Sequence, residues 1–97
     1  MAITTPAQAV CSYTLKKPIT YTSEITVLHL RQIKAKDFVS TDGLGDNATN
    51  MRMLSRLTGY PEEALGELYP EDFKGAVALM GETFFRDDPQ TEPLVKT

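Results

Sequence analysis

Residues 10–31, VCSYTLKKPITYTSEITVLHLR, decide the fold. In the first half, Val10, Ser12, Thr14 and Lys16 fall on one side of an extended chain and Cys11, Tyr13, Leu15 and Lys17 on the other. That is the two-residue period of a strand with one apolar face. Pro18 has no N–H to donate, so this strand is expected to stop there or to lie at a sheet edge. In residues 24–33, EITVLHLRQI, Ile25, Val27 and His29 alternate with Thr26, Leu28 and Leu30, in a segment rich in β-branched and large apolar residues. Joined through PITYTS, the two strands form a β-hairpin over residues 10–33. A lone hairpin is marginal in water, so helices must cover it.

Those helices follow where the period changes from two to near 3.6. Asp37 opens a short helical turn carrying Phe38 and Val39, and Gly43 and Gly45 mark a flexible connection. A helix runs from about Ala48 to Thr58, with Asp46 or Asn47 as its N-cap, Met51, Leu54 and Leu57 on its apolar face and Gly59 as its stop. Pro61 and Pro70 each suit a first helical position, followed by the acidic pairs Glu62–Glu63 and Glu71–Asp72 that complement a helix dipole. The last helix repeats Phe73, Val77, Met80 and Phe84 at i, i+4, i+7 and i+11 and ends near Phe85 or Arg86. The expectation is an α+β fold: an N-terminal β-hairpin packed on a small bundle of three to four short helices. It forms a single domain over residues 10–86, with its helical part at 36–86, a loose arm at 1–9 and a flexible tail at 87–97.

The chain has 97 residues, 41% hydrophobic and 24% charged, enough for one core of marginal stability that self-association would support. A net charge of −3 offers no basic field for nucleic acid. No run approaches the about 20 apolar residues of a membrane span. One cysteine, Cys11, and no secretory leader suggest an intracellular protein.

The polar residues offer little chemistry. His29 is the one histidine and has no cysteine or carboxylate at ligand spacing, so it reads as structural, as does Cys11, a small hydrophobe. DGLGDN, residues 42–47, lacks the Lys-Ser/Thr of a phosphate loop and the spacing of a calcium loop. No catalytic residue, metal or cofactor is expected. What remains is apolar residues off the core faces. Leu79 and Phe85 lie outside the stripe of Phe73, Ala76, Val77, Met80 and Phe84, and Met53 is offset from Met51, Leu54 and Leu57. With Arg52 and Arg56, one turn apart, these residues either close the protein's own hairpin or are candidates for contact with another chain.

At residues 13–38 the order of features resembles the phage tail assembly chaperone family of Mu-like and related contractile-tailed phages. Leu15, Lys16, Pro18 and Ile19 match its opening strand, Ile25, Val27, Leu30 and Arg31 its second strand, and Asp37 and Phe38 its aspartate-started short helix. Leu57, Thr58, Gly59, Pro61, Leu65, Leu68, Asp72, Val77 and Phe84 match its helical half, while Ile33 departs from the proline or glycine of the pattern. The resemblance covers about Tyr13 to Phe85. It implies a non-enzymatic, self-associating protein of the host cytoplasm during assembly, made late and absent from the mature virion. Such a protein binds the tape measure protein, keeps it soluble and helps to recruit tail tube protein. It also implies a longer product made by programmed frameshifting, for which the codons of Thr83-Phe84-Phe85 are a candidate slippery site. A small structural tail adaptor or completion protein is the alternative.

Overall fold

The computed structural model describes residues 3–85. Two antiparallel strands, β1 (Cys11–Tyr21) and β2 (Ser23–Leu30), form the sheet, and four helices follow. These are α1 (Ala35–Ser40), α2 (Asp46–Thr58), α3 (Glu62–Leu65) and α4 (Pro70–Phe84). This is the expected α+β arrangement, and the tail expected at 87–97 lies outside the described residues.

Strand β1 does not stop at Pro18 but lies at a sheet edge, the other of the two expected outcomes, since the sheet has two strands. Its pairing runs from Cys11↔Leu30 to Thr14↔Val27 and resumes at Ile19↔Ile25, so Leu15, Lys16, Lys17 and Pro18 stand opposite Thr26 alone. Inside such a bulge a proline costs no ladder bond, which is why the strand survives it. The N–H groups of Lys16 and Lys17 instead reach α4, each 3.0 Å from an oxygen of Asp72. At the hairpin tip Thr22 takes a left-handed φ of 57°.

One apolar core lies between hairpin and helices. The hairpin contributes Leu15, Ile19, Ile25, Leu28 and Leu30, α2 contributes Met53, Leu54 and Leu57, and α4 contributes Ala76 and Met80. Leu65 of α3 joins them, while Phe73, Val77 and Phe84 pack against the margin. Tyr13 crosses directly over Gly75 of α4, where an added Cβ would lie 2.2 Å from the tyrosine hydroxyl.

Three helix starts and the N-terminal arm depart from expectation: α1 begins at Ala35, two residues before Asp37, and Pro61 is the N-cap of α3 and not its first helical residue. The N-cap of α2 is Gly45, without a side-chain cap, because the helix starts at Asp46, whose charge instead sits in the first turn. The segment expected as a loose arm is tied at Thr4. Its N–H donates to the Thr58 carbonyl (2.8 Å) and its hydroxyl to the Leu57 carbonyl (2.7 Å). These carbonyls belong to the last turn of α2, which has no partners within the helix itself.

Candidate docking surface

Helix α1 inverts the usual pattern of burial. Its one buried residue is Asp37, fully enclosed, whereas Phe38 is 48% and Val39 74% exposed. The carboxylate is drawn inward by four donors. Arg31, just past β2, gives Nη1 to Oδ2 (3.1 Å) and Nη2 to Oδ1 (2.9 Å), and Arg56 of α2 gives Nε to Oδ1 (2.7 Å). The Lys34 N–H, at the start of α1, donates to Oδ2 at 2.8 Å. Burial by itself raises the Asp37 pKa, but the hydrogen bonds from Arg31, Arg56 and Lys34 outweigh it and hold the carboxyl well below the usual range.

Locking Asp37 inward decides where its neighbours point. Successive helical residues rotate by about 100°, so Phe38 and Val39 swing away from the core. Phe85, just past the end of α4 and 47% exposed, meets Phe38 edge to face, with ring centroids 5.6 Å apart and planes at 79°. Arg52 stands at the rim, where its guanidinium donates to the Ser40 carbonyl (3.2 Å) and pairs with Glu62. The result is an exposed aromatic pair with an aliphatic neighbour, fixed beneath by an ion cluster.

A second buried carboxylate, Asp72, plays the same part at the hairpin. Besides the two bulge N–H groups it accepts the Tyr13 hydroxyl at 3.2 Å. Burial pushes its pKa up and the bulge N–H groups bring it down, with a lowered value as the net result. Neither carboxylate faces solvent.

Of the residues expected to contact another chain, Phe85 lies in this surface and Arg52 at its edge. Met53 is 3% exposed and belongs to the core, because β2, α1, α3 and α4 all pack on α2 and together bury a wider arc than its apolar stripe indicated. Arg56 is committed to Asp37, and Leu79 is half-buried on α4. In the sequence Phe38 and Val39 stand out only as part of a short helix. The signal that could have found them is an aspartate beside two large apolar residues in a helix too short to bury both sides. His29 sits on the hairpin with Nδ1 2.7 Å from the Ser12 hydroxyl, and Cys11 packs partly against the core. Among the described residues no group of three or more His, Cys, Asp or Glu could hold a metal ion, and no helix is long and apolar enough to cross a membrane.

A hairpin laid on short helices, with two carboxylates locked inside and aromatic rings outside, defines a small α+β protein with an exposed apolar patch. Residues 12–84 match the family model described as phage tail assembly chaperone proteins, E, or 41 or 14, and the chain belongs to this family. No curated protein and no solved structure is a match.

Proposed function

We propose that the chain binds the tape measure protein through Phe38, Val39 and Phe85, keeps it soluble, and assists assembly of the tail tube around it. The observation that carries this reading is the inversion in α1. A helix that buries a carboxylate and exposes Phe and Val is organised toward an apolar partner, since buried charge and exposed large hydrophobes each cost stability in an isolated chain. A long client with apolar helical faces suits such a surface, in the manner of a helix seated on a hydrophobic patch. Arg52 and Glu62 supply a polar rim, and Leu79 is a further contact on α4. The chaperone acts without catalysis, self-associates, works in the host cytoplasm and is left out of the finished virion. A longer frameshifted product would carry the link to the tail tube protein.

The test is co-expression of the tape measure protein with the chain or with Phe38→Ser/Phe85→Ser. The variant should keep its fold by circular dichroism yet leave the client insoluble. Equal rescue by the folded variant would refute the assignment of this surface. Mass spectrometry of purified particles adds a second check, because a fixed copy number in the virion would favour a structural tail adaptor instead.

A further inference from the structure

We infer that the partner segment taken by this surface is an amphipathic helix whose apolar face is edged by Asp or Glu, and that the positive charge at the start of α1 selects it. This deepens the proposed function and rests on its assignment of Phe38, Val39 and Phe85 as the docking surface.

The ion cluster beneath the patch is not balanced. Arg31 and Arg56 share the single carboxylate of Asp37, which leaves one positive charge in surplus. Asp37 is fully enclosed, whereas the two arginine side chains are 26% and 27% exposed, so the part of the cluster that a partner meets is cationic. Arg56 spends only Nε on Asp37. Among the described residues its Nη1 and Nη2 donate to no acceptor, and these two nitrogens form a fork that a carboxylate engages through two parallel bonds.

Two ammonium groups add to this surplus. Lys34 is the N-cap of α1 and Lys36 lies in its first turn, both exposed and neither in a salt bridge among the described residues. Lys36 stands three residues before Val39, the spacing of neighbours on a helix surface. Carboxylates are sparse at this end. Glu62 is paired with Arg52, Asp42 lies past the far end of α1, and Glu82 stands a turn before Phe85. The chain as a whole carries a net charge of −3, so the positive start of α1 is a local feature and not a consequence of composition.

Asp37, which both guanidinium groups bind, is the immediate neighbour of Phe38. A helix seated on the rings therefore carries its flanking side chains across these cations. Carboxylates there meet opposite charge and lysines meet like charge, so the surface attracts one class of amphipathic helix and repels the other.

Two synthetic helical peptides test this, with the same leucine face, one edged by glutamate and the other by lysine, titrated by fluorescence anisotropy against the full chain. The glutamate-edged peptide should bind about tenfold more tightly at low salt, and the difference should shrink as salt rises. The variant K34E/K36E, changed at exposed positions, should remain folded by circular dichroism and lose that preference. Binding of neither peptide, equal binding of both, or a preference untouched by K34E/K36E would each overturn the inference. A wild type that keeps the tape measure protein soluble through Phe38 and Phe85 yet does not discriminate between the peptides would overturn the acidic edge and leave the proposed function standing. A glutamate preference that both K34E/K36E and Phe38→Ser/Phe85→Ser abolish, in a protein that leaves the tape measure protein insoluble, would do the reverse.

Discussion

Replacing Asp37 by alanine removes the acceptor of four hydrogen bonds and strands two guanidinium groups beside each other. The side chains of Arg31 and Arg56 are 26% and 27% exposed, so water relieves part of their repulsion. Breaking a buried ion pair by deleting one partner costs about 3–5 kcal/mol, and the partial exposure places this case near about 3 kcal/mol. For a domain of this size that lowers the Tm by roughly 10–20 °C, readable by far-UV circular dichroism. Asp37→Asn keeps the shape and loses the charge, so it should fall between alanine and wild type. The pH dependence is a second readout with a definite sign. The folded-state pKa of Asp37 lies below the ordinary 3.8, so its stabilisation is complete above that value and is lost as the pH falls toward the folded pKa. The stability gap between wild type and Asp37→Asn should therefore be full at neutral pH and narrow below about pH 4. An Asp37→Asn protein with the wild-type Tm at pH 7, or a gap that stays constant into acid, would refute the ion-cluster account.

Three further outcomes follow from the geometry. Asp72→Ala should destabilise the fold by about 2–4 kcal/mol and speed hydrogen exchange at the Lys16 and Lys17 amides, which lose their acceptor; unchanged protection there would contradict the capping of the bulge. Gly75→Ala gains helix propensity but forces a Cβ to within 2.2 Å of the Tyr13 hydroxyl, which Asp72 holds in place. A net loss of about 1–2 kcal/mol is expected, and it should vanish in a Tyr13→Ala background, as a double-mutant cycle by urea denaturation would show. Thr22→Asn, at the left-handed hairpin tip, should raise stability by about 1 kcal/mol, because a β-branched residue is strained at positive φ and asparagine tolerates it; a lower Tm would argue against that backbone conformation.

Much of the architecture was legible because it is local. Alternation in 24–30 marks β2, Gly59 ends α2 through a left-handed cap at φ 85°, and the 3.6-period stripe of Phe73, Val77, Met80 and Phe84 marks α4. The candidate surface was only half legible. Phe85 could be placed off the α4 stripe by counting, whereas Phe38 and Val39 needed the knowledge that Asp37 is buried. That burial depends on Arg31 and Arg56, the second 19 residues away, so no local period reveals it. Met53 lies in the core for a related reason: an apolar stripe gives the centre of a buried face but not how many elements pack around it.

The sequence by itself determined the order of elements, most of their ends and the family, since these rest on periods, caps and motifs within a few residues of one another. The tertiary structure alone decided that β1 runs through Pro18, that Thr4 is tied to α2, and which side of α1 faces out. Each of these depends on a polar group satisfied by a partner far along the chain, as Lys16 and Lys17 are by Asp72 at separations of 56 and 55 residues. A buried donor or acceptor must find a partner wherever the fold supplies one, and that choice is made in space rather than along the sequence.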